Sequence, residues 1–181
     1  MTSGETIERR DRLVALLGPL HDGARATARR LCRSNAEGDD LFHEAVLRAF
    51  DRLDELRQPD RFRAWFYAVM LSVHRARHRR GFWRRFLSFE DANVIEPHAE
   101  GGADAIDGAQ RMSRALATLS PDAREAIVLF ELEGLTLEEI AELQKGTLSS
   151  VKSRLARARA RLRRHYECTD AAMRSRAAPI V

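Results

Sequence analysis

The stretch LSPDAREAIVLFELEGLTLEEIAELQKGTLSSVKSRLARARARLRR (119–164) decides how the second half of the chain folds. Ser120-Pro121-Asp122 supplies an N-cap residue, a proline at the first helical position and an acid in the first turn. Ile127, Val128, Phe130 and Leu132 then carry helical apolar spacing to Gly134, a good stop. Thr136-Leu137-Glu138-Glu139 has the form of a capping box and opens a second helix, with Ile140, Ala141 and Leu143 facing inwards. After a short turn, Thr147 or Ser149 caps a third helix whose buried side is Val151, Leu155, Ala158 and Leu162. Two short helices, a tight turn and a basic third helix form a helix-turn-helix pattern. Lys152, Arg154, Arg157, Arg159, Arg161, Arg163 and Arg164 all fall on the non-core faces of a last helix expected to be about 27 Å long.

Upstream, the same 3.6-residue period recurs and no useful stretch alternates with the period of two that a strand needs, so the fold class is all-α. Leu13, Leu16, Leu17, Leu20, Ala24, Ala28 and Leu31 mark one helical stretch, bent or broken at Gly18-Pro19. Phe42, Val46, Ala49, Phe50, Leu53 and Leu56 mark a second, starting near Gly38-Asp39-Asp40, with acids suited to a helix N-terminus. Phe62, Trp65, Phe66, Val69 and Val73 mark a third that runs into an arginine cluster. These helices are expected to pack as an N-terminal bundle.

Composition narrows the function. The 181 residues are 44% apolar and 32% charged, with a net charge of +4 and a pI near 9.7. Arginine supplies 29 of the 31 cations, so most present a planar fork suited to phosphate oxygens. The longest apolar run, Trp65 to Leu71, is far short of the ~20 residues a membrane span needs. No apolar leader follows the N-terminus, so a secretory signal is not expected. Cys32 and Cys168 are isolated, which argues against a disulfide framework or a zinc module. The expectation is a basic, cytoplasmic protein without membrane insertion, metal or cofactor.

The charge is unevenly placed. From Ser88 to Gln110 there are six acids and no Lys or Arg, leaving the remainder of the chain at +10. With Pro97, Gly101, Gly102 and Gly108 in it, this stretch reads as a flexible acidic linker. Two acid-free basic blocks flank it: Arg75, Arg77, Arg79, Arg80, Arg84 and Arg85 on one side, and the seven cations from Lys152 to Arg164 on the other. One block per folded unit looks like a footprint on a polyanion. Asp40, Glu44, Leu47 and Asp51 repeat at i, i+4, i+7 and i+11, a polar stripe around one leucine that suits a protein-docking face.

Four stretches carry a family resemblance. GDDLFHEAVLRAFDRL (38–53) resembles region 2.2 of the ECF, or group IV, sigma factors of the sigma-70 family, and FRAWFYAVM (62–70) with its arginine cluster resembles regions 2.3 and 2.4. ALATLSPDAREAIVLFELEGLTLEEIAEL (115–143) and VKSRLARARARLR (151–163) resemble region 4 at the family's spacing. The resemblance implies a sigma-2 domain over 5–87, an acidic flexible linker over 88–110, a sigma-4 helix-turn-helix domain over 111–166 and a short tail over 167–181. It also implies an alternative sigma factor that binds bacterial core RNA polymerase and directs promoter-specific initiation. Sigma-2 would bind the β′ clamp helices and open the −10 element; sigma-4 would sit on the β flap and read the −35 element. An anti-sigma factor would be a further partner.

Carried over by residue, the core-binding face would be Asp39, Asp40, His43, Glu44, Leu47, Arg48 and Asp51. Opening the −10 element requires flat or apolar surfaces for unstacked bases beside cations. The residues placed there are Arg61, Arg63, Trp65, Ser72, Arg75, Arg77, Arg79 and Arg80, although Trp65 and Phe66 also fall on the core stripe. For −35 reading, small polar residues let a helix N-terminus approach base edges with cations behind them. Thr147, Ser149, Ser150, Lys152, Ser153, Arg154 and Arg157 supply that arrangement, one of the hydroxyls serving as the helix cap. Arg161, Arg163 and Arg164 suit phosphate contact or solvation.

Two departures from the family pattern stand out. Leu71, Ser72 and Ala76 replace an Arg-Asn pair and a later Asp in the third helix. Gln144-Lys145-Gly146 replaces a Leu-Gly-hydrophobic turn, so either the turn is reshaped or Gly146 takes the left-handed role one place later. Competing readings are a sigma-like mimic that sequesters an anti-sigma factor, and an ordinary helix-turn-helix transcription regulator. An enzyme is disfavoured, because there is no Gly-rich phosphate loop, nucleophile elbow or His-rich metal spacing.

Overall fold

The protein is described from a computed structural model covering residues 3–32, 34–87 and 103–177. The described residues form helices and turns only: α1 (Ser3–Leu17), α2 (His21–Leu31), α3 (Asn35–Asp51), α4 (Phe62–Leu87), α5 (Ala103–Ala117), α6 (Pro121–Glu131), α7 (Leu137–Leu143) and α8 (Leu148–Ala177), with short 3₁₀ turns at Gly18–Leu20, Leu53–Glu55 and Pro59–Arg61. The chain divides into two compact units, Met1–Glu96 and Pro97–Val181.

In the first unit, the expected break at Gly18-Pro19 is a 3₁₀ turn. Proline has no N–H to continue the helical ladder, and the α-helix restarts at His21. The helix expected to start near Gly38 begins earlier, at Asn35. Ser34 is its N-cap and accepts a 3.1 Å hydrogen bond from the Glu37 N–H, so Ser34 rather than an acid fixes the start. Gly38 is thereby an interior residue of α3, where α2 crosses closely. A Cβ at Gly38 would stand 2.4 Å from Cα of Arg29. Around this crossing pack Ala24, Ala28 and Leu31 of α2, Leu41, Phe42, Ala45 and Ala49 of α3, and Phe62, Phe66, Tyr67 and Met70 of α4. The Phe66 ring lies edge-on to Phe42 at 6.2 Å and stacks on Phe62 at 5.8 Å. Burying a side chain of that size contributes about 1.5–3 kcal/mol.

In the second unit α8 packs against α5, α6 and α7. Pro121 occupies the first turn of α6 after Ser120, although the Ser120 side chain makes no capping bond. Gly134 takes the left-handed conformation (φ 62°) that ends this segment, and the Leu135 N–H returns to the Leu129 carbonyl at 3.0 Å. The capping box at Thr136 is complete: its hydroxyl accepts from the Glu139 N–H at 3.2 Å, and the Glu139 carboxylate accepts from the Thr136 N–H at 2.8 Å. Val151, Leu155 and Ala158 are buried as the period requires.

Three expectations change. Residues 88–102 of the expected linker lie outside the described residues, but 103–110 form the first half of α5. There Asp104 and Asp107 fall in the opening turns, where acids favour a helix. The tail expected over 167–181 continues α8 to Ala177. No Gly or Pro interrupts it before Pro179, and the Thr169 hydroxyl donates back to the His165 carbonyl at 2.8 Å. Finally, Gly146 does not take a left-handed conformation. Lys145 does (φ 50°), at a cost of about 1–2 kcal/mol relative to glycine.

Candidate nucleic-acid interface

On α3, the stripe Asp40, Glu44, Leu47 and Asp51 lies outward together with His43 and Arg48. Leu47, at the centre of this stripe, is 67% exposed. Glu44 is not free on this face. Its carboxylate accepts from Nε of Arg77 at 2.8 Å and lies 3.6 Å from the Arg48 guanidinium, while Arg77 also donates to the Asp40 carbonyl at 2.9 Å.

Asp39 lies off the stripe that begins at Asp40. It shares the inner stripe of α3 with Phe42 and Val46, and its carboxylate accepts from both Arg25 (2.8 and 3.1 Å) and Arg29 (2.9 and 2.9 Å). Its side chain is only 24% exposed. Hydrogen bonds from Arg29, then Arg25, hold the carboxyl far below the ordinary aspartate value of 3.8. A folded-state value below the unfolded one means the clamp stabilises fully above that value and fades as pH falls through and below it. Asp39→Asn is therefore expected to cost about 1.5–3 kcal/mol in urea unfolding at pH 7, the range for hydrogen bonds to a charged group. The gap between variant and parent should narrow below pH 3.8. A gap independent of pH would contradict the clamp.

On α4 the structure sorts the predicted −10 residues by face. Trp65, Ser72 and Arg75 recur at i, i+7 and i+10, and the exposed Arg61 of the preceding 3₁₀ turn continues the same line. Trp65 is half-buried with its ring 5.9 Å from Phe62, whereas Phe66 and Tyr67 are buried in the core. Arg77 departs from the expectation: it sits on the side of α4 that meets α3 and is held there by Glu44 and Asp40. Arg63 is exposed but roughly opposite Trp65 around the helix. The backbone of Arg79 and Arg80 continues α4; their side chains lie outside the described residues.

On α8 the expected readers separate in the same way. Thr147 and Ser150 form a second reciprocal cap: the Thr147 hydroxyl accepts from the Ser150 N–H at 3.2 Å, and the Ser150 hydroxyl accepts from the Thr147 N–H at 3.1 Å. Ser149, Lys152, Ser153, Ala156, Arg157 and Ala160 form one exposed face with small residues along its middle, and Arg163 and Arg164 extend it. Arg154 turns away, donating to Oε1 of Gln144 at 2.8 Å. Arg159 pairs with Glu131 at 2.6 Å over the Phe130 ring, and Arg161 donates to the Thr118 carbonyl at 2.9 Å. Three of the seven cations between Lys152 and Arg164 are thus tied to other elements of their own domain, and a fourth, Arg157, donates to the Ser153 carbonyl one turn back at 3.3 Å. Sequence periodicity does not reveal this, because partners 10 to 43 positions away leave no local signal.

Comparison with known proteins agrees with the division into two units. Residues 16–84 match the family Sigma-70 region 2, and residues 109–162 match Sigma-70, region 4. The chain is 30% identical over 145 residues to the ECF RNA polymerase sigma factor SigM of Mycobacterium tuberculosis, covering 80% of this chain and 70% of that one. It is 31% identical over 133 residues to the ECF RNA polymerase sigma-E factor of Escherichia coli, covering 66% of this chain and 69% of that one. Among solved structures, the sigma factor RpoE of Bartonella quintana, in complex with the anti-sigma factor NepR, superposes with a TM-score of 0.70 at 26% identity, covering 87% of this chain and 96% of that one. CnrH in complex with the cytosolic domain of CnrY shares the fold, with a TM-score of 0.65 at 23% identity.

Proposed function

Because the chain belongs to the ECF sigma factors of the sigma-70 family, we propose that it binds core RNA polymerase through α3 and brings two DNA-reading surfaces to a promoter. The observation that carries this reading is the pairing of an exposed Leu47 on an acidic stripe in the first unit with a small-residue, cation-flanked face on α8 in the second. The first suits a protein partner and the second a major groove.

The docking face is Asp40, His43, Glu44, Leu47, Arg48 and Asp51, set against the β′ clamp helices, with sigma-4 on the β flap. The −10 surface is Arg61, Trp65, Ser72 and Arg75, continued by Arg79 and Arg80. The −35 surface is Ser149, Lys152, Ser153 and Arg157, with Thr147 and Ser150 building the helix start. An initiation factor needs no catalytic residue, metal or cofactor of its own. Among the described residues no helix is long and apolar enough to cross a membrane, and the proposed site of action is the cytoplasm, beside the polymerase. An anti-sigma factor is the further partner, supported by the relative solved with one. The outward basic face of α8 favours a DNA-reading factor over a mimic.

The two ends of that face should behave differently in holoenzyme binding to promoter variants across a salt series. Arg157→Ala is expected to cost about 1–3 kcal/mol and to relax preference at one −35 position. Arg163→Ala should weaken all sequences alike and reduce the salt slope by about 0.9, the loss of one phosphate contact. Equal, sequence-independent losses from both would leave α8 as an electrostatic grip without base readout.

A further inference from the structure

The turn before the recognition helix contains a three-part bridge. Gln144, the residue after α7, donates from Nε2 to the Asp122 carbonyl at 2.8 Å and accepts on Oε1 from Nη1 of Arg154 at 2.8 Å. The Asp122 carboxylate lies 3.7 Å from Nη2 of Arg154, so the guanidinium is drawn towards the start of α6 from two directions. Arg154 is 23% exposed, although its neighbours Lys152, Ser153 and Arg157 are exposed. Gly146 keeps the space open: a Cβ there would sit 2.9 Å from the Ser150 hydroxyl and 3.4 Å from Nη1 of Arg154. A larger side chain at 146 would push against the cap and the arginine together.

Building on the −35 reading above, we propose that Gln144 is a positioning residue that sets −35 specificity by holding Arg154 away from the DNA-facing surface of α8. An arginine within the first two turns of a recognition helix is suited to bidentate contact with guanine, worth about 5- to 150-fold in discrimination when it reaches the base. Gln144 satisfies one edge of that fork and Asp122 lies beside the other, so the fork is occupied before DNA arrives. Removing Gln144 leaves only a 3.7 Å contact with the exposed Asp122 carboxylate, which is weak. Arg154 then becomes available to the groove.

The test is promoter selection by holoenzyme assembled from the full chain and core RNA polymerase, read on a library randomised across the −35 element. The parent should show a −35 preference that Arg154→Ala leaves in place, with affinity changed less than about threefold across all sequences. Gln144→Leu should introduce a new preference at one position, about fivefold or more, and the double variant Gln144→Leu/Arg154→Ala should lose it. Gln144→Glu, which retains an acceptor for Arg154, should keep the parent's preference and also covers the case in which Gln144→Leu folds poorly. A parent preference that collapses at one position in Arg154→Ala, or Gln144→Leu and Gln144→Glu variants that read alike, would overturn the proposal while leaving the −35 reading intact. A parent with no −35 preference overturns that reading and the proposal together.

Discussion

Exchanging Asp40 for Arg and Leu47 for Ser together is expected to weaken association with core RNA polymerase by about a hundredfold or more. Truncating a central apolar anchor costs about 2 kcal/mol or more, a factor of roughly 30. Reversing an adjacent charge adds electrostatic mismatch on top. The fold should survive, because Leu47 is 67% exposed and the Asp40 side chain also faces outward. The Asp40 backbone carbonyl, the part that receives Arg77, is unchanged by the substitution. Fluorescence titration of labelled protein with core enzyme, accompanied by circular dichroism, checks both halves. Unchanged affinity would remove α3 from the docking interface.

Gly38→Ala is expected to destabilise the first unit by about 3 kcal/mol, the upper end of the usual overpacking cost. The added methyl meets the backbone of Arg29, Cα at 2.4 Å and N at 2.7 Å, not the flexible end of a side chain. α2 and α3 must therefore part, which also strains the Arg25–Asp39–Arg29 clamp one residue along. Urea unfolding followed by helix content gives the number. A loss below about 0.5 kcal/mol, the usual size of an exposed-surface effect, would mean that the helices do not cross here as described.

Most helices were legible from local signals, the exception being the start of α3, where the Ser34 cap sets the boundary earlier than the acids at 39–40 suggest. The capping box at Thr136, the break at Gly18-Pro19 and the burial of Val151, Leu155 and Ala158 all follow from spacing and turn chemistry within a few residues. The inward setting of Asp39 is readable from spacing: it lies on the same side of α3 as Phe42, and the stripe beginning at Asp40 does not include it. The fates of Arg77, Arg154, Arg159 and Arg161 were not legible. An arginine on a non-core face reads the same whether it points to solvent or reaches a carboxylate or carbonyl on another helix, and only packing decides which. The left-handed Lys145 is a related case. Glycine is the default for that conformation, and the adjacent Gly146 is required instead for its closeness to Ser150 and Arg154.

Arg77 ties two of the surfaces to each other. It comes from the arginine block of α4 yet neutralises Glu44 on the stripe proposed for docking, so α3 and α4 share one charge network. The proposed −10 surface is correspondingly reduced to the line from Arg61 through Trp65, Ser72 and Arg75. That line still offers what an unstacked base requires, an accessible aromatic edge beside guanidinium groups.

The central claim, that this chain confers promoter choice on RNA polymerase, is tested most directly by run-off transcription with purified core enzyme, on a template bearing a promoter selected by the holoenzyme from a randomised library. Core alone should give no defined start, and core with the chain should give one. That start should be lost with the Asp40→Arg/Leu47→Ser variant and shifted in preference by substitution of Arg157. A chain that binds the same DNA without core yet leaves core unable to start at a defined site would contradict the account and mark it as a separate helix-turn-helix regulator.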